Sequence, residues 1–107
     1  MKSIYFLFTF HFILIITASS QLNTPVYIDK ARREIMNNEN QKAIERLNTV
    51  IKVKPYLYDA YFFRGIAKFG MGDYTGAIED FTETVTINPF FPKAYQYRGI
   101  SKDALQN

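Results

Sequence analysis

Apolar residues at Tyr61, Phe62, Ile66 and Phe69, and again at Ala77, Ile78, Phe81, Val85 and Ile87, follow helical spacing rather than strict alternation. Between the two runs lies Gly70-Met71-Gly72-Asp73, a turn signal. The pattern predicts two helices joined by a short connection. Pro55 and Pro89 carry no backbone donor and disfavour helix in the residue before them, so each ends a helix that precedes it.

The same pattern recurs along the chain. Ala60, Tyr61, Arg64, Gly65, Ile66 and Lys68 reappear at one constant displacement as Ala94, Tyr95, Arg98, Gly99, Ile100 and Lys102. Asn88-Pro89 answers Lys54-Pro55, Ala77-Ile78 answers Ala43-Ile44, and Tyr95 and Tyr61 lead back to Tyr27. A fixed period of this kind is the mark of a solenoid of stacked units, each too small to bury its own apolar face. Gly inside a helix costs about 1 kcal/mol relative to Ala. Gly65 and Gly99 at one phase are therefore expected where another backbone approaches, and Ala31 would serve nearly as well.

Spacing and residue type together resemble the tetratricopeptide repeat, a pair of antiparallel helices with an aromatic, a Gly, an Ala, an apolar ring and a Pro at set offsets. The middle unit carries the resemblance best, with Tyr61 in place of the usual Trp, Gly65, Gly72-Asp73-Tyr74 at the turn, Ala77, Phe81 and Pro89. It departs at Arg64, where Leu is usual, and at Lys68, where Tyr is usual. The first unit has Ala31 for the Gly, Leu47 for the ring and Asn37-Asn38-Glu39-Asn40 as its turn. What the resemblance implies is an all-α, right-handed helical solenoid of about two and a half repeats within residues 21–107, at about 25–58, 59–92 and an incomplete 93–107. The third unit's helix is expected over residues 94–105. Two readings fit its end: a cap, whose polar face Lys102, Asp103, Gln106 and Asn107 permit, or continuation into further repeats, which Tyr97, Ile100 and Leu105 fit at least as well.

Ahead of the array stands Lys2, then residues 4–16, almost wholly apolar, then Thr17-Ala18-Ser19-Ser20. The layout is that of a secretory signal peptide over residues 1–20, cleaved before Gln21. The run is shorter than the roughly 20 residues a membrane span needs. Extended through Ala18, it leaves an uncleaved anchor as the alternative. Export is thus expected, and by resemblance the destination is a bacterial periplasm or cell envelope, with secretion as the alternative.

Setting the leader aside changes the charge. From Gln21 onward there are 12 basic and 10 acidic residues, a net +2, and no Lys/Arg stripe interleaved with aromatics, so nucleic acid is not an expected partner. The chain has no Cys, and its one His, His11, lies inside the leader. The mature part therefore has neither the usual N/S zinc set nor a His-assisted nucleophile. Glu79 and Asp80 are adjacent and project about 100° apart on a helix, so they are no facing acid/base pair. Ser101, Lys102 and Asp103 have no catalytic spacing, and Gly70-Met71-Gly72-Asp73 reads as a turn rather than a phosphate loop. No enzyme activity, small-molecule substrate, metal or cofactor is expected.

Binding is the remaining function class. In arrays of this family the first helices of successive units line a concave groove that takes an extended peptide or a helix. Carried onto this chain, the groove positions are Ile28, Arg32 and Ile35 in the first unit, Phe62, Phe63, Ile66 and Phe69 in the second, and Lys93, Gln96, Tyr97 and Ile100 in the third. The positions of the family's carboxylate clamp hold Ile28, Arg32, Phe63, Lys93 and Tyr97, and only Lys93 agrees in type, so the clamp is absent. The function implied is a protein–protein interaction scaffold. A structural or self-associating repeat module, part of a larger envelope protein or anchored by residues 4–18, is the alternative. Tyr61, Tyr74, Phe81 and Tyr95 are expected to pack between helices, and Arg64 and Arg98 to meet a carboxylate such as Asp80.

Overall fold

A computed structural model of the chain describes residues 22–106. Among the described residues are five α-helices and no strand: α1 (Thr24–Met36), α2 (Asn40–Val53), α3 (Tyr58–Gly70), α4 (Tyr74–Ile87) and α5 (Pro92–Gln106). Helix makes up 81% of them, so the fold class is all-α. The leader reading over residues 1–20, with His11, lies outside the described residues.

The sequence period reaches the helix ends. Thr24 and Met36, which bound α1, recur in register as Tyr58 and Gly70, which bound α3. The ends of α2 recur in the same way as those of α4, and the start of α3 as the start of α5. Local chemistry accounts for these boundaries. The Asn23 side chain accepts from the Val26 N–H and Pro25 occupies the first turn of α1, while Asp73 accepts from Gly76 at the start of α4. At the other end of α1, Asn38 takes a left-handed φ of 61°, and its counterpart Gly72 takes φ 79° after α3. The amides of Glu39 and Asp73 then reach back to the carbonyls of Glu34 and Lys68, closing the same cap twice. α2 and α4 stop at Val53 and Ile87, ahead of Pro55 and Pro89.

Each helix packs on the next, α3 on α4 most extensively, while α1 touches α3 and α3 touches α5. Two apolar clusters result. One joins Ile28, Ala31, Ala43, Leu47, Val50, Ala60 and Ala67; the other joins Phe62, Ala77, Phe81 and Ala94, and Phe63 packs against both. Two polar groups inside are satisfied within their own helices, since the buried hydroxyls of Thr84 and Ser101 donate to the carbonyls of Asp80 and Tyr97.

Gly65 is explained by a side chain, not by a neighbouring backbone. A Cβ there would stand 2.7 Å from Cε1 of the fully buried Phe81 ring. In the first unit the equivalent pair is Ala31 with Leu47, both fully buried, so a larger residue on one helix accompanies a smaller one on the other. Gly99 differs, because a Cβ there would meet nothing within 4 Å.

Charge joins the two helices of each unit with opposite sense. Glu34 on α1 accepts from Nε of Arg46 on α2, and hydrogen bonding to that carboxylate raises the Arg46 pKa from its ordinary value. In the next unit the acid lies on the second helix: Arg64 donates to Asp80 through Nε (2.9 Å) and Nη2 (2.7 Å), and Lys68 stands 3.0 Å from the same carboxylate. Position 34 answers 68 and position 46 answers 80, so the pair is reversed between repeats. Asp80 and its two cations are largely shielded from water, and the fork to Asp80 raises the Arg64 pKa despite opposing desolvation.

The glycine environments predict opposite outcomes for one change. Gly65→Ala pushes a methyl into the Phe81 ring and is expected to lower stability by about 1 kcal/mol or more net of the gain in helix propensity. Gly99→Ala, into open space, is expected to raise it by up to about 1 kcal/mol in urea titration. Asp80→Ala leaves two shielded cations unpaired and is expected to cost about 3–5 kcal/mol by the same measurement. Asp29→Ala, which breaks only exposed pairs to Arg32 and Arg33, is expected to fall within about 0.5 kcal/mol.

Candidate functional site

The first helices of the three units stand side by side, and a concave depression of about 390 Å³ opens across them. α1 contributes Arg32, Ile35 and Met36, α3 contributes Phe62, Phe63 and Ile66, and α5 contributes Lys93, Gln96 and Tyr97. A second depression of about 280 Å³ adjoins it through Arg32 and Phe63, and is lined also by Thr24, Pro25, Ile28, Asp29, Leu57 and Asp59. Together they form one groove running across α1, α3 and α5.

Helical spacing positions the lining. Arg32 and Ile35 sit three residues apart on α1, as do Phe63 and Ile66 on α3 and Lys93 and Gln96 on α5, so each helix turns one edge toward the groove. The aromatic floor is fastened from behind. The Phe62 ring lies 4.9 Å from the Phe91 ring and 5.4 Å from that of Phe63, both edge-on, and 5.9 Å from Phe81. Such geometry favours rings beyond their buried area. Phe62 is only 6% exposed, so it is core that the groove rests on, with little surface of its own. Phe63, Ile66 and Tyr97 are half-buried and present one side outward, and Met36 is 78% exposed at the rim.

Charge is unevenly spread along the groove. The smaller depression carries Asp29 and Asp59 beside Arg32, and Arg32 donates to Asp29 at 3.0 Å. The larger one carries Arg32 and Lys93 and no carboxylate among its lining residues. The groove is therefore acidic toward the start of α1 and basic toward the start of α5.

Of the positions anticipated for this groove, Ile28, Arg32, Ile35, Phe62, Phe63, Ile66, Lys93, Gln96 and Tyr97 come together in it. Phe69 does not line it: its ring packs 5.4 Å from Tyr74 and 6.0 Å from Tyr97, inside the second cluster. Ile100 is 43% exposed on α5 and lines neither depression. Met36, Leu57 and Asp59 line the groove without having been anticipated, as do Thr24, Pro25 and Asp29. Met36 escaped notice because the equivalent position in the middle unit is Gly70, which has no side chain to face anything.

The aromatics expected between helices divide. Phe81 is fully buried and Tyr74 packs on Phe69. Tyr61 is half-buried, donates its hydroxyl to the Pro55 carbonyl at 2.9 Å, and has its pKa raised by burial. Tyr95 makes the same bond to Pro89 at 3.1 Å, yet is 44% exposed. Among the described residues no cluster of His, Cys, Asp and Glu could hold a metal ion, and no helix is long and apolar enough to cross a membrane. In sequence comparisons no protein-family model and no curated protein matches the chain.

The floor and the rim are expected to respond differently to truncation. Phe62→Ala empties a packed aromatic site and should cost about 3–5 kcal/mol in urea unfolding. Met36→Ala at the rim should stay within about 0.5 kcal/mol.

Proposed function

We propose that the chain is a non-catalytic protein–protein interaction scaffold of the tetratricopeptide kind, a right-handed solenoid whose groove across α1, α3 and α5 takes a peptide or helix from a partner protein. The observation that carries this reading is the groove itself: half-buried Phe63, Ile66 and Tyr97 with exposed Met36 at its rim, on three helices set side by side. Supporting it are the helix ends, turns and caps that recur with the sequence period. The groove is shallow and open, which suits side chains from a macromolecule better than an enclosed small molecule. Its charge favours a ligand with apolar anchors over Phe63 and Ile66 and an acidic residue toward Arg32 and Lys93. Export by a cleaved leader would place the scaffold in a bacterial envelope or outside the cell.

Peptides selected from a random display library on the full chain test the reading. Selected peptides are expected to be apolar with acidic positions, and to lose about tenfold or more in affinity to Met36→Glu and to Lys93→Glu, with helicity by circular dichroism unchanged. Selected peptides that bind both variants as tightly as the wild type would overturn it.

A further inference from the structure

The connections between one helix pair and the next carry the most exposed aromatic rings among the described residues. Phe90, between α4 and α5, is 90% exposed, and Tyr56, between α2 and α3, is 64% exposed. Each follows a proline, Pro89 or Pro55, and the two hold the same place in successive repeats. Stacking does not hide this position: Tyr56 has α1 and α2 before it and α3, α4 and α5 after it, and is still uncovered. Both rings are held out by their connections. The hydroxyls of Tyr61 and Tyr95 donate to the carbonyls of Pro55 and Pro89, and the Phe90 amide donates to Oδ1 of Asn88 at 3.1 Å. Phe91 takes the inward place, 4.9 Å from the Phe62 ring and 5.2 Å from that of Tyr58.

The Tyr58–Phe91 contact sets the two connections side by side, and Nζ of Lys54 reaches Oγ1 of Thr24 at the start of α1, 3.5 Å away. The starts of α1, α3 and α5 and the ends of α2 and α4 thus form one end of the molecule. Charge there is one-sided. Within residues 22–27, 50–61 and 84–95, which build this end, the cations are Lys52, Lys54 and Lys93 and the one carboxylate is Asp59. A single exposed ring is ordinary, but two at one repeat position, with lysines at the same end, have the composition of an interfacial anchor. We infer that this end of the molecule docks on a membrane surface bearing anionic lipid, with Phe90 and Tyr56 entering the interface and the three lysines meeting headgroup phosphates. Two copies of the chain meeting by this end would instead set the lysines against one another. Of these residues only Lys93 lines the groove, so docking leaves the groove open and the two readings can fail separately.

The chain has no Cys, so a nitrobenzoxadiazole label on one introduced cysteine of the full chain reports a single place. On Tyr56→Cys, emission should shift to the blue and brighten about twofold or more with vesicles of phosphatidylcholine and phosphatidylglycerol, and much less with phosphatidylcholine alone. On Met71→Cys, in the exposed turn at the opposite end, it should not change. Adding Phe90→Asp to the chain labelled at position 56 should raise the lipid concentration for half the response about tenfold. Lys52→Glu should do the same on the anionic vesicles only. A label at position 56 that stays unchanged on anionic vesicles, or labels at the two ends that respond alike, would overturn the site. So would a blue shift at position 56 that grows with chain concentration in the absence of vesicles, since that gives the face to a second copy.

Discussion

The seating of the Phe81 ring on the bare backbone of Gly65 is the contact on which the second repeat depends. Because α3 offers no Cβ there, α4 can lie close enough for its ring to reach past α3 toward Phe62 and Tyr97, at 5.9 Å from each. Those two rings belong to the groove, Phe62 as its floor and Tyr97 as its wall on α5. A residue on the far helix of the unit thus supports the groove without lining it. The close approach also brings Asp80, beside Phe81, into reach of Arg64 and Lys68. The pair adds little net stability relative to apolar packing, but it is costly to leave half-made.

Most of the architecture was legible because it is repeated. Tyr61, Gly65 and Pro55 with their echoes at Tyr95, Gly99 and Pro89 marked the helix pairs, and Asn37-Asn38-Glu39-Asn40 marked a turn whose left-handed residue is Asn rather than Gly. The environments of the two glycines were not legible, since equal residues in a repeat have equal roles only where both have the same neighbour. Phe62 was ambiguous for a related reason. Helical spacing says that it faces away from solvent on α3, but whether it is floor or surface depends on Phe91, in the connection between α4 and α5. The reversal of charge between Glu34–Arg46 and Lys68–Asp80 reads in the sequence as mere divergence. It acquires meaning only when 34 is set against 46 and 68 against 80 in space.

That reversal bears on how similar helices find the right neighbour. α1 and α3 share a length, a cap and a turn, as do α2 and α4 in length, so shape alone discriminates poorly between correct and crossed pairs. Crossing them would oppose Glu34 to Asp80 and Lys68 to Arg46. Like charges at shielded positions penalise both errors at once. The packing adds a second criterion, because Phe81 fits over Gly65 whereas Ala31 would hold it off.

The bond from each tyrosine hydroxyl to a proline carbonyl six residues back has a mechanical consequence. It closes a ring that spans the connection and the first turn of the next helix, at Tyr61 onto Pro55 and at Tyr95 onto Pro89. Each bond ties the first turn of a helix to the connection that precedes it. The angle at which α3 follows α2, and α5 follows α4, is thus held by a side chain as well as by the packing of the helices.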